Sequence, residues 1–588
     1  MADLIIDLAI LWVILTLGFV TLLGWGRLVE RVIGCSPARV ETGTLWLGFV
    51  ALLAVVDLLH MVIRIDWRAS LGCLLVGLAG CLMQGGVGWA RLFRPLALQI
   101  RTHPITAIAA AGFAIVCCLR AMGVPNHFDS GLYHFTSIRW INEQPLVPGI
   151  GNLHWRLALN QSYFGFAALL NLAPFWGKGY AAGGLLILLL CAATLLEMCA
   201  EQSRLWRRLV GGLLTIYLGY LASGIANPAP DGIVSMLQLA TFLFLFRVLA
   251  HGGQRSGRPL SDLIVILSLC LGLPTVKLSG AAFALACGVL AIAAYRKEIV
   301  ERPWIIAKFL ALSLFVAVIH MGRGYLLSGY PLFPATLAGI PDLEWAVSPH
   351  VLRYESDLIF SMARAHGSMD PTGLLVGWAW LGPWATALRL SFQMLFVGCA
   401  LLTVVALICI MTGRSDSTVR RCGTLYAPLL IAVAFWLGTA PDPRFLGAVP
   451  ALLIVLGAWI VLSSRGFEAL GEWIVNPQPR SPLMMALALL ICLTALKLVG
   501  ISYVSLAGWL APPVPSVQPR TTDRGLTVLV PAELGQCWNA PLPCVSIFDA
   551  GLKSSVWAPF AIGSVQLFER PAYSVKWPGA GRATPVTH

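Results

Sequence analysis

Apolar runs of about 17 to 25 residues, enough to cross a hydrocarbon core, recur along almost the whole chain with short polar stretches between them. They are continuous rather than alternating, which predicts helices and excludes a membrane barrel. Their approximate bounds are 4–25, 43–63, 69–89, 104–121, 179–199, 208–224, 232–250, 260–276, 279–295, 304–322, 393–412, 423–439, 445–463 and 482–502. The first run starts acidic, at Asp3 and Asp7, and lacks a small-residue cleavage site, so it reads as a retained span. One more run, Leu157 to Trp176, is interrupted by Asn160, Gln161, Ser162, Asn171 and Pro174. It reads as a helix lying on the outer membrane surface. The fold class expected is therefore an all-α polytopic membrane protein of about 14 transmembrane helices, with surface-lying juxtamembrane helices and a small periplasmic C-terminal tail.

Composition sharpens this. The chain is 58% hydrophobic and 11% charged, against about 25% charged in a soluble domain. The net charge of +13 would suggest nucleic acid in a soluble protein, but here arginine and lysine concentrate in seven short loops. The first holds Arg27, Arg31 and Arg39, the last Arg465 and Arg480, and a pair of spans separates each loop from the next. Such loops face the cytoplasm, which places both termini outside, provided Leu157 to Trp176 is not a span. Most of the 15 cysteines lie within apolar runs, where cysteine behaves as a small hydrophobe. Cys537 and Cys544 differ: they bracket a short Pro-containing loop in the tail, and either pair as a disulfide or remain two thiols.

Candidate chemistry gathers at the outer ends of the runs. The segment Asn126 to Asn160 is dense in titratable groups, with Asp129 between His127 and His134, then His154 and Arg156. Asp129 fits three roles: a partly desolvated general base, the cap of a helix from Ser130 to Asn142, or a metal ligand. The histidine spacing matches no familiar zinc pattern, so no metal is expected. Asp231, in Pro230-Asp231-Gly232, is either a site residue or another helix cap. Lys277, Arg323 and Arg444 map to one depth on one face, where each either anchors to headgroups or binds an anionic group such as a lipid phosphate. Asp57 and His60 share a helical face in the second run and read as a structural pair away from these motifs.

The arrangement resembles the GT-C superfamily of membrane glycosyltransferases, which use polyprenyl-phosphate-linked or polyprenyl-pyrophosphate-linked sugars. In that superfamily an acidic residue lies in the first external loop of a seven-span module, followed by surface-lying helices and a second long external loop. Asp129 occupies the acidic position, Leu157 to Trp176 the surface helix, and 323–392 the later loop; the Arg323-Gly-Tyr...Gly-Tyr-Pro-Leu-Phe-Pro stretch is similar to some members. Two departures are Asp129-Ser130, where many members have Asp-Glu or Asp-x-Asp, and the three spans that precede the module. The Phe128 to His134 segment and the Cys537 to Cys544 loop also look like an uncharacterised family of bacterial multi-spanning membrane proteins.

The resemblance implies N-terminal transmembrane helices over 1–103 and a GT-C-like module over 104–392 with external loops 122–178 and 323–392. C-terminal transmembrane helices over 393–511 and a periplasmic tail over 512–588 complete the chain. It implies a multi-pass protein of the bacterial cytoplasmic (inner) membrane that moves a sugar from a polyprenyl-phosphate carrier to a glycan, lipid or protein acceptor at the periplasmic face. No cofactor and no nucleic acid are expected. Asp129 is then the catalytic residue, with His127, His134, Arg156, Asp231, Lys277, Arg323 and Arg444 binding substrate. The alternatives are an O-antigen-type polymerase or ligase, a lipid or solute transporter, and a non-catalytic scaffold.

Overall fold

The structure is a computed structural model describing residues 2–34, 42–83, 104–251, 259–365, 377–475, 509–532 and 535–552. Helices dominate it, because the long runs of Leu, Ala, Ile and Val leave the backbone no polar partner except its own i−4 carbonyls. Seven helices among the described residues are long and apolar enough to cross a membrane: Ala2–Ile33, Thr42–His60, Tyr180–Glu201, Pro230–His251, Pro303–Ser328, Leu390–Met411 and the segment Ser417–Gly438. Other expected spans appear as shorter apolar helices, among them Trp67–Leu82 and Val449–Leu462. The run at 482–502 lies outside the described residues. The described helices thus support a multi-helix membrane architecture and not a count of fourteen.

Pro230–His251 is the axis of the assembly, with nearly every residue buried. At the amino-terminal edge, Ala2–Ile33, Thr42–His60 and Trp67–Leu82 meet backbone to backbone. A Cβ on Gly24 would lie 1.7 Å from the Gly77 carbonyl oxygen, and one on Gly48 would lie 1.8 Å from that of Leu22. Small residues permit this approach, which lipid-exposed helices use in place of a hydrophobic driving force.

Leu157 to Trp176 corrects the sequence reading. Only Ser162–Leu170 forms an α-helix, nine residues long, about 14 Å at 1.5 Å per residue. That is too short to span, as expected. It does not lie on a surface, however: Ser162 to Leu169 are all buried, enclosed by Thr42–His60, Phe135–Glu143 and Tyr180–Glu201. Its polar residues serve the interior. Ser162 Oγ is 3.0 Å from Thr275 Oγ1, and Asn171 donates to the Asn142 side chain at 2.9 Å.

Polar side chains tie the helices at two opposite ends of the bundle. One end joins Glu30 to Thr44, Thr42 to Glu197, and Arg247 to Glu197 and Asp262. The other holds Asp129, Asp231, Lys277 and Arg444. The tail sits at this second end, where Trp509 packs on Trp176 and Tyr180 and its amide donates to Asp7. Its strands Val517–Thr521 and Thr527–Pro531 pair antiparallel with Val517 opposite Pro531. Cys537 and Cys544 are disulfide-bonded.

Candidate functional site

The site is built on the turn that follows Pro104–Ala121. Asn227 fixes its entry: its side-chain oxygen accepts from the amides of Asn126 and His127, both at 3.0 Å, and its amide returns a bond to the Asn126 side chain. The chain then winds into a wide π-helical turn, Ser130–His134, before continuing as Phe135–Glu143. Asp129 stands at its start and makes no capping hydrogen bond, which removes the helix-cap alternative.

The carboxylate goes instead to two arginines. Arg156 Nη1 donates to Oδ1 at 3.0 Å and Arg444 Nη1 to Oδ2 at 3.0 Å. Arg156 also reaches Glu355 Oε1 at 3.2 Å, and Arg444 reaches Asp442 at 3.1 Å, so five charges alternate in sign from Glu355 to Asp442. A second pair, Lys277 with Asp231, lies alongside. Phe445 links the two, with Lys277 Nζ 4.2 Å and the Arg444 guanidinium 4.8 Å from its ring centre. The Arg444 side chain is 45% exposed, against 17% for Arg156.

Burial works against ionisation of Asp129, but Arg156 and Arg444, with Lys277, hold its carboxyl below the usual carboxylate range. Glu355 shows the opposite balance: burial pushes its carboxyl up, outweighing Arg156. Burial pushes His134 and His154 down to about 3, so both rings are neutral. His154 Nδ1 accepts the Arg156 amide at 3.1 Å, which helps hold the arginine in place.

The expected site residues thus divide. Asp129, Arg156 and Arg444 meet directly, and Asp231 and Lys277 join them through Phe445. His127 is exposed and engaged through its backbone. His134 is 2% exposed, its Nδ1 3.2 Å from Ser130 Oγ, and so packs beneath the turn instead of facing a substrate. Arg323 is 4% exposed and belongs to a separate internal group. Its Nε is 3.6 Å from Asp57 Oδ1, and His320 is 3.5 Å from the other Asp57 oxygen. Asp57 therefore pairs with Arg323 and His320, not with His60. A cavity of about 30 Å³ adjoins this group, with His60, Gln161 and Arg323 in its wall. Among the described residues no three His, Cys, Asp or Glu side chains are grouped to hold a metal ion.

Glu355 and Phe445 escaped the sequence reading. Phe445 follows Arg444 directly and looked like the first residue of a span. Glu355 was one acid among several in a long loop, and only its burial in the helix Pro349–Ala365 distinguishes it.

All the residues of this cluster fall within residues 8–450, the stretch matched by the profile of a family described as a domain of unknown function, DUF8201. The chain belongs to the DUF8201 family. The match takes in both ends of the bundle, and the tail from Trp509 lies beyond it. No curated protein and no solved structure matches this DUF8201 chain.

Proposed function

We propose that this DUF8201 protein is a membrane glycosyltransferase of the GT-C kind, moving a sugar from a polyprenyl-phosphate carrier to an acceptor at the periplasmic face of the bacterial inner membrane. The reading takes the chain as about fourteen spans with both termini periplasmic, in keeping with the basic loops. One observation carries it: a carboxylate held between two arginines, one of them 45% exposed, at the end of the bundle where the long loops and the tail gather.

In the resting arrangement Asp129 is a weak base, because both oxygens are paired with guanidinium groups. A donor phosphate competes for the more exposed Arg444 and for Lys277, since guanidinium and ammonium groups bind phosphate oxygens strongly. Losing part of that pairing raises the carboxyl's affinity for a proton only when the donor is present. Asp129 then takes the proton of the acceptor hydroxyl. The acceptor oxygen bonds to the anomeric carbon, the bond from that carbon to the phosphate oxygen breaks, and its electron pair leaves with the phosphate, which Arg444 and Lys277 stabilise. Arg323, buried on Asp57, has no part in this step.

Purified protein incubated with a panel of polyprenyl-linked sugar donors and acceptors is expected to release free carrier, detected by mass spectrometry. Asp129→Asn should lower that release by about 10²- to 10⁴-fold, the usual contribution of a positioned base, while the protein stays folded. Undiminished release from a folded Asp129→Asn protein rules out the base. Transmembrane movement of labelled donor without covalent change favours transport instead.

A further inference from the structure

The wide turn that carries Asp129 is finished by a distant part of the chain. A π-helical turn pairs residue i with i+5, as the Phe135 amide does with the Ser130 carbonyl, so its carbonyls do not align with i+4 amides as they do in an α-helix. Three carbonyls in and beside this turn accept hydrogen bonds from the tail. Gln536 Nε2 donates to Phe128 O at 2.8 Å, the Trp538 amide to Gly131 O at 2.8 Å, and Ser546 Oγ to Leu132 O at 3.4 Å.

The Trp538 ring lies flush on the turn. A Cβ on Gly131 would fall 2.3 Å from it, so only glycine admits the ring here. The ring also packs 5.9 Å from Phe135, and its Nε1 donates to Gln536 Oε1 at 3.2 Å, coupling two of the donors. Arg139 holds the loop from the helix side through the carbonyls of Asn539 and Ala540, at 2.7 and 2.8 Å. The Cys537–Cys544 bond closes this loop, with both sulfur-bearing residues 2% exposed.

We infer that the disulfide loop of the tail is a positioning element of the Asp129 site, with Trp538 as its positioning residue: it fixes the wide turn and so keeps the carboxylate between Arg156 and Arg444. Its effect on turnover rests on the glycosyltransferase reading above, but its effect on the carboxylate does not. Trp538 touches no reacting atom. It acts through Gly131 and the turn, and a truncated side chain lets the turn relax toward ordinary i+4 pairing, swinging Asp129 out of its clamp.

The test uses the full-length protein in detergent and reads Asp129 directly. The pH dependence of carbodiimide modification of Asp129, followed by peptide mass spectrometry, reports how readily its carboxyl takes a proton. It is measured in wild type, Trp538→Ala, Trp538→Phe and the double variant Cys537→Ser/Cys544→Ser. Trp538→Ala and the double variant should shift the modification profile to higher pH, so that labelling at a fixed pH near 5 rises at least threefold, and Trp538→Phe, which keeps a ring on Gly131, should restore most of the wild-type profile. Carrier release, where the glycosyltransferase reading holds, should fall in kcat with KM for the donor little changed. A wild-type labelling profile in folded Trp538→Ala protein overturns the positioning role. A shifted profile in a protein that releases no carrier under any condition leaves the positioning role standing and removes the glycosyltransferase reading.

Discussion

The two ends of the bundle centre the same chemistry on opposite charges. At the end of the basic loops, Arg247 is shared by three acids, Glu197 at 3.1 Å, Glu201 at 3.9 Å and Asp262, and its own side chain is 7% exposed. At the other end, one acid, Asp129, is shared by two arginines, and one of these is 45% exposed. A cation enclosed by a surplus of acids has no reason to release any of them. An acid between two cations, one reachable from outside, has a partner that an incoming anion can draw away. The first arrangement locks three helices together; the second can exchange.

The largest effect should come from the locked end. Arg247→Ala removes a cation whose side chain is 7% exposed and leaves three neighbouring acids, 21 to 34% exposed, to repel one another; it is expected to cost about 3–4 kcal/mol, read as a drop in thermal midpoint in detergent. At the exchanging end, Arg156→Ala should cost roughly 3 kcal/mol, because Glu355 is 1% exposed and loses its counter-charge. Adding Glu355→Gln to Arg156→Ala should recover about 1 kcal/mol or more, as coupled neighbours do in a double-mutant cycle. Arg444→Ala should change stability by no more than about 1 kcal/mol, as exposed pairs do. If Arg444→Ala destabilises as much as Arg156→Ala, the contrast between the two arginines fails.

The pH response is the subtlest test. His134 and His154 are pushed by burial to about 3 from an unfolded value of about 6.5, so the unfolded chain binds protons that the folded chain refuses. Their contribution to stability is complete above about pH 6.5 and is lost as pH falls toward 3. Asp129, held low by its arginines, acts in the same direction in a lower window: its contribution is present above about 3.9 and is lost as pH falls through its depressed folded value. Thermal midpoints followed from pH 7 to 4 should decline, and His134→Gln should flatten that decline. Glu355, whose carboxyl burial pushes up, opposes this decline as pH falls, so the comparison between variants decides: a decline in His134→Gln as steep as in wild type contradicts the histidine assignment.

Hydropathy made the helices legible, and their alternating direction brought Asp129, Asp231, Lys277 and Arg444 to one end. It could not tell a surface helix from an enclosed one, because Ser162–Leu170 reads as apolar with polar interruptions in either setting. It also could not separate Arg323 from Arg444. Both lie near the ends of apolar runs, and only the fold reveals that Asp57, a long way back in the chain, turns inward to meet Arg323 at 3.6 Å. The role of Trp538 was equally hidden, since the carbonyls it completes belong to a turn whose π-helical pairing has no sequence signature.

The Asp57 and Arg323 pair also carries a timing. Thr42–His60 leaves the ribosome well before Arg323, which follows roughly 270 residues later, on the order of 15 to 50 s at typical rates of synthesis. During that interval Asp57 stands in an apolar helix without its partner, where an ionised carboxylate is expensive. The early helix must wait, either protonated or shielded at the insertion machinery, until the late one arrives, so the order of birth of these helices is not the order in which they can settle.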